Sequence, residues 1–336
     1  MVASTLSGRQ WRYDVGSNVA DPTSSSRGHL ALPSRRAALR LGAAGAASLL
    51  SACAEGEQVG VSSPSPEGPA GGAPPPTAAG TEAATPAATT PSSPAAVTPP
   101  REEIVDAFAG HRPAVFGLDV PGVVLRHSGE GVALTFDLCG GPQGESFDHD
   151  LWALLQDLEI ASTFFVNSRW LEANPSLARE LGADPLIEIA NHGHEHRPLT
   201  VDGRAAYGIA GTRDAGAAFD EVTASVDGLT DVSGAAPLWF RSGTAHCDDV
   251  GVRIAEAVGQ VVVNFSINGD AGATFSAQQV VIEVDRAGDG DIVIAHANRP
   301  GSGTAGGMAL ALPAMLERGV TFVQLADALP SVRNPY

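Results

Sequence analysis

Three imidazoles fall on alternate residues of the segment His192-Gly193-His194-Glu195-His196-Arg197-Pro198-Leu199. His192 and His196 are four apart, so on a helical turn both project to one side and can share one divalent ion, with His194 pointing elsewhere. Taken alone, the segment also reads as a solvated polar turn with capping histidines. Asp137, Arg241, Asn268, Asp270 and His296 are the other residues placed to do chemistry. A carboxylate can take a proton from water, an imidazole can give one to a leaving group, and a metal ion stabilises the oxyanion between those events. Hydrolysis of an amide or ester then needs no nucleophilic serine. Ser242-Gly243-Thr244 does not match the Gly-x-Ser-x-Gly elbow of serine hydrolases. Arg241 also reads as a structural ion pair at a strand end, and His296 as a buried histidine satisfied by backbone.

Something must hold these residues together across 160 positions of chain. Short β-branched or aromatic runs occur at Val132–Asp137, Ser162–Asn167, Leu186–Ala190, Leu238–Arg241, Val261–Ser266, Asp291–Ala295 and Thr321–Leu325;. Helix-like segments separate them. Leu151, Leu154, Leu155 and Leu158 form one apolar stripe, and Ile254, Ala257 and Val258 another;. Seven β-α alternations predict an α/β fold with a parallel sheet closed into a distorted (β/α)7 barrel, with a doubly wound open sheet as the alternative. The polar residues fall at strand ends. Asp137 ends the first strand, Asn191 and His192 follow the third, Arg241 ends the fourth, Asn268 and Asp270 follow the fifth, and His296 ends the sixth. In a barrel these ends share one face, the face on which barrel enzymes keep their chemistry.

Thr135-Phe136-Asp137, Asn191-His192 through Arg197-Pro198, Phe240-Arg241 and Ile292-Val293-Ile294-Ala295-His296 resemble, in order and spacing, the motifs of the polysaccharide deacetylase family, the domain also found in chitooligosaccharide deacetylases. The likeness runs from about Gly131 to Ala328. It implies a distorted β/α barrel and a divalent ion of the zinc type that activates water to remove N- or O-linked acetyl groups from a sugar. By the same resemblance Asp137 is the catalytic base, His192 and His196 are metal ligands, Arg241 orients the base, His296 is the general acid and Asp270 tunes His296.

One departure from the family pattern matters. The family has two aspartates in a row after Thr-Phe, the second a metal ligand, and here that position is Leu138, followed by Cys139-Gly140-Gly141. Asp137 itself, Asp148, His194 or a water are the candidates to fill the gap, or the site binds metal weakly or not at all. Cys139 is a candidate soft ligand, a disulfide partner for Cys247, or an inert buried thiol.

The first hundred residues are not globular in character, which leaves roughly 230 for one barrel, close to the usual size of that fold. Ser34-Arg35-Arg36 precedes a small apolar run from Leu41 to Ala52, closed by Leu50-Ser51-Ala52-Cys53. This resembles a twin-arginine export signal with a lipobox, which makes Cys53 the acylated anchor to a membrane; about a dozen apolar residues are too few to span a ~30 Å hydrocarbon layer. Cleavage without a lipid is the alternative. From Ala54 to Pro100 the composition collapses to Pro, Ala, Thr, Ser and Gly without an aromatic residue, a tether by composition. The expected order is leader 1–53, tether 54–100, an N-terminal extension 101–130 and a catalytic domain 131–336.

Twenty basic residues stand against 38 acidic ones, and none of the basic ones is lysine. That balance removes the attraction needed for nucleic acid or for an anionic membrane surface. It suits a neutral or amino-sugar polymer. Three functions follow: a metal-dependent deacetylase of an extracellular or cell-envelope polysaccharide or oligosaccharide, acting on a carbon–nitrogen bond in preference to an ester; a metal-free amidohydrolase of a small amide; and a non-catalytic glycan-binding lipoprotein. An aromatic content of 5% leaves few sugar-stacking platforms, which counts against the third.

Overall fold

The computed structural model describes residues 98–330; the expected leader, its Cys53 anchor and nearly all of the tether lie outside them. In chain order the elements are α1 (Arg101–Phe108), β1 (Phe116–Gly117), β2 (Val132–Leu138), α2 (His149–Asp157), β3 (Ser162–Val166), α3 (Ser168–Ala173), α4 (Pro175–Ala183) and β4 (Ile187–Asn191). They continue as α5 (Ala215–Thr223), α6 (Val226–Ser233), β5 (Trp239–Phe240), β6 (Cys247–Asp248), α7 (Asp249–Ala257), β7 (Val261–Val262) and β8 (Ile267–Asn268). The last are α8 (Ala277–Val284), β9 (Ile292–His296), α9 (Gly303–Glu317), β10 (Phe322–Val323) and α10 (Leu325–Ala328). No helix among the described residues is long and apolar enough to cross a membrane.

The sheet is parallel and runs β7-β5-β4-β3-β2-β9-β8, with β10 paired to the first residues of β2. Its curl makes it the distorted (β/α)7 barrel expected from the alternation. β2 is buried along its whole length, as a central parallel strand covered on both faces must be. Period two sorts its side chains. Val132, Leu134, Phe136 and Leu138 enter the core shared with Leu151 and Leu155 of α2 and with Met308 and Leu312 of α9. Ala133 faces the barrel interior with Phe165, Trp239, Val263, Ile292 and Leu325. A third cluster joins Ile104 of α1 to Val222 of α5 and to Val250 and Ile254 of α7, so the extension 101–130 packs as part of the domain.

The fifth predicted strand is the one that differs. Val261–Ser266 divides: β7 pairs with β5, and β8, beginning one residue beyond the predicted end, pairs with β9 on the opposite edge. The intervening residues carry the chain from one edge of the sheet to the other. The Arg241 guanidinium explains the break, because Nε donates to the Val263 carbonyl at 3.1 Å and Nη2 to the Asn264 carbonyl at 3.1 Å. Those carbonyls serve a buried cation instead of a ladder.

Candidate active site

The strand ends converge as expected. Arg241 is fully buried and every nitrogen of its guanidinium is used: besides the two carbonyls, Nη1 donates to Thr135 Oγ1 at 3.0 Å and to Asp137 Oδ1 at 2.8 Å. Its plane lies over the Phe165 ring, 4.0 Å from the centroid. A guanidinium fixed by four acceptors and a ring has little freedom, so it sets the direction of the Asp137 carboxylate. Burial raises the Asp137 pKa, but the charges of His192, Arg241 and His296 outweigh it and hold the carboxyl below its usual range.

His296 and Asp270 form a second fixed pair. Asp270 Oδ1 accepts from His296 Nδ1 at 2.9 Å, and Oδ2 accepts from the His296 backbone N–H at 2.7 Å and from the Thr304 hydroxyl at 2.9 Å. With Nδ1 engaged, Nε2 is the ring nitrogen left for chemistry. Burial lowers the His296 pKa, yet Asp270's charge and hydrogen bond, with a contribution from Cys139, carry it well above the usual imidazole range.

The histidine segment is not a helical turn. Beyond Asn191 the chain runs through bends, with positive φ at Gly193 (78°) and at His196 (61°). The two imidazoles meet anyway, edge to face with centroids 4.9 Å apart, because buried side chains from other elements hold the loop. Asn167 Nδ2 donates to the carbonyls of His192 and Gly193 at 2.9 and 2.8 Å, Asn191 Oδ1 accepts from Gly193 N–H at 2.8 Å, and Glu221 accepts from the N–H groups of Glu195 and Arg197. Any side chain at Gly193 would run into Glu221; glycine alone suits both the backbone angle and the space. His194 does point elsewhere, its Nδ1 3.0 Å from the Ser168 hydroxyl.

Among the described residues, one group has donor atoms close enough to hold a metal: Cys139, His192 and His196, mutually within 4.8 Å. Asp137 stands beside the group, with Oδ2 3.5 Å from His192 Nε2. The donor set fits a zinc-type ion. The His192 Nδ1 lies 2.9 Å from the Arg241 carbonyl, the outer bond that presents Nε2 to a metal. The His196 Nε2 is buried with no hydrogen-bond partner, an orphan that needs a ligand. Burial pushes the Cys139 thiol up, but the His196 charge and hydrogen bonds from His192, His196 and His296 bring it well below the ordinary thiol range; a thiolate with two imidazoles is a common zinc set.

Leu138, where the family pattern has its second aspartate, belongs to the apolar core. One residue further on, the period of two returns Cys139 to the inward face shared by Thr135 and Asp137. That periodicity, continued past Leu138, is the signal that singles out Cys139. Other candidates for the gap are committed elsewhere: Asp148 caps α2 by accepting from Leu151 N–H at 3.1 Å, and His194 is engaged with Ser168. Cys139 and Cys247 are both free. Cys247 sits in the ribbon formed by β1 and β6, its thiol pushed up to about 12 by burial and by Asp248.

A parallel barrel with an Asp–Arg pair, an Asp–His pair and a convergent donor set at its strand ends defines a hydrolase-type centre on the (β/α)7 fold. Residues 126–263 match the family model for polysaccharide deacetylase, a segment that includes Asp137, His192, His196 and Arg241. A peptidoglycan N-acetylglucosamine deacetylase in complex with a hydroxamate-type benzamide superposes with a TM-score of 0.52 at 18% identity, covering 62% of this chain and 93% of that one. A family 4 carbohydrate esterase pseudoenzyme from Bacillus anthracis gives 0.52 at 18% identity, covering 62% and 69%. A mutant of that pseudoenzyme with restored activity gives 0.52 at 20%, covering 62% and 71%. At these identities the likeness establishes the fold. No curated protein matches the sequence.

Proposed function

We propose that this protein is a metal-dependent deacetylase that removes N-linked acetyl groups from an extracellular or cell-envelope glycan. The observation that carries the proposal is the convergence of three donor side chains, Cys139, His192 and His196, with a carboxylate fixed by Arg241. A zinc-type ion bound there supplies Lewis-acid polarisation of the acetyl carbonyl and acidifies a water. Asp137 takes the water proton: one oxygen is tied to Arg241, and the other faces His192 across the site. His296 returns a proton from Nε2 to the departing sugar nitrogen, while Asp270 holds Nδ1 and steadies the charged ring. Amide and water become amine and acetate. Asp137 and Cys139 thereby divide between them the two roles that the family pattern gives to consecutive aspartates, so the base is not weakened by serving as a ligand.

The same proposal places the domain outside the cell on a lipid at Cys53, with residues 54–100 as its tether. Native protein is expected in the detergent phase, and Cys53→Ser protein in the aqueous phase or unprocessed; lipid-free, soluble wild-type protein would contradict the anchor. For the activity, acetate release from N-acetylated chito-oligosaccharides and peptidoglycan fragments is expected with zinc-loaded protein, lost after chelation and regained on adding zinc. Turnover that survives complete metal removal would favour a metal-free amidohydrolase. Glycan binding without acetate release from any acetylated glycan would leave the binding-protein reading.

A further inference from the structure

Tyr207 is 69% exposed, more than any other large apolar residue among those described. It occupies the tip of a two-residue hairpin, closed by Ala206 N–H to the Ile209 carbonyl at 3.0 Å and Ile209 N–H to the Ala206 carbonyl at 2.9 Å. Both central residues have positive φ, 52° at Tyr207 and 78° at Gly208. A turn of this kind favours Asn-Gly or Gly-Gly, and a tyrosine is disfavoured there. A strained residue that also exposes a ring to water points to use of that ring.

The ring is backed. It meets His246 edge to face with centroids 5.1 Å apart, and His246 leans on Phe116 at 5.6 Å. Arg204 lies over the other part of that cluster, 5.7 Å from the Phe116 centroid. The His246 ring is fixed in turn, with Nδ1 2.8 Å from the Thr244 carbonyl.

The hairpin is built onto the segments that carry the chemistry. Arg197, next to His196, donates to the Ala210 carbonyl at 3.3 Å. Thr212 N–H donates to the Pro198 carbonyl at 3.1 Å, and Thr200 and Thr212 exchange further bonds. On the other side, Ser242, next to Arg241, donates its hydroxyl to the His246 carbonyl at 2.8 Å, and Leu199 N–H donates to the same oxygen at 3.0 Å. The aromatic row thus hangs from both the His196 loop and the Arg241 loop.

We propose that Tyr207, backed by His246 and Phe116, is a stacking subsite for a pyranose ring of the glycan chain, outside the residue that loses its acetyl group. This rests on the deacetylase reading for its substrate. The axial C–H groups of a gluco-configured ring make a flat apolar face that an aromatic face can cover. The net charge of −18 favours a neutral or amino-sugar chain over an anionic one.

The test uses full-length zinc-loaded protein and N-acetylchito-oligosaccharides from monomer to hexamer. Tyr207→Ala is expected to raise KM for the hexamer about 10-fold, a stacking-sized loss, with progressively smaller changes toward the monomer; Tyr207→Phe keeps the wild-type profile. Tyr207→Gly is expected to raise Tm, since glycine accepts the backbone angle, yet to weaken the hexamer as Tyr207→Ala does. A role confined to shaping the hairpin predicts that glycine improves or preserves both. Loss that is equal at every chain length, or loss with Tyr207→Phe as large as with Tyr207→Ala, overturns the subsite. Hexamer binding measured by calorimetry on Asp137→Asn protein separates the two readings. Tyr207-dependent binding without acetate release by the wild type sinks the deacetylase reading and keeps the subsite; acetate release with Tyr207-independent binding does the reverse.

Discussion

The two walls of the site are built on opposite terms. On one, Asp137, Arg241, Thr135, Asp270, His296 Nδ1 and Thr304 satisfy one another through short bonds inside the protein. On the other, His196 Nε2 is buried without a partner and the Cys139 thiol faces imidazoles. Buried polar groups are costly unless paired. The first wall has its partners within the chain and is a positioning device. The second offers donor atoms that could hold a cation, and on the proposed reading fixed geometry and ligand binding are assigned to different residues.

Substitutions on either wall probe that division. Asp137→Asn is expected to lower kcat about 10³-fold, as loss of a general base does, while bound zinc measured by atomic absorption stays at the wild-type level. Loss of zinc together with activity would move Asp137 into the donor wall. Leu138→Asp, which restores the family's sequence, is expected to lower unfolding stability by about 3 kcal/mol, because it places a carboxylate among Phe136, Leu151 and Leu155 without a partner;. Denaturant titration checks this, and a tighter zinc affinity in that variant would show that position 138 reaches the site. Asp270→Asn leaves His296 in place but removes its anionic partner; a fall in kcat of about 10²-fold is expected, with the imidazole pKa lowered in NMR titration and the zinc content unaltered. The smallest effect belongs to His194→Ala, which removes a contact to Ser168 and is expected to leave metal content unchanged by the same assay.

The strands were legible because each is an apolar run bounded by turns, and burial on both faces of a parallel sheet demands that pattern. Asp137, Arg241 and His296 were legible because a polar residue ending such a run has to face either the site or a partner. The split of the fifth strand was hidden: it depends on Arg241 reaching 22 residues ahead for the Val263 carbonyl. His192 and His196 do come together, but not by the helical spacing that suggested it. Asn167, Asn191 and Glu221 produce the pairing by side-chain bonds to the loop backbone, which no local pattern reveals. Cys139 stood among several uses for a thiol until Leu138 proved to point outward, which turns the next residue inward. The leader, the lipid anchor and the tether rest on sequence alone.

Replacing zinc with cobalt and recording the absorption spectrum tests the donor assignment most directly. Cobalt bound by Cys139, His192 and His196 gives a thiolate-to-metal charge-transfer band in the near ultraviolet. Cys139→Asp should keep cobalt, since a carboxylate is an acceptable third donor, and lose the band. A cobalt-loaded wild-type protein without that band, or a band that persists in Cys139→Asp, would contradict a centre built on Cys139.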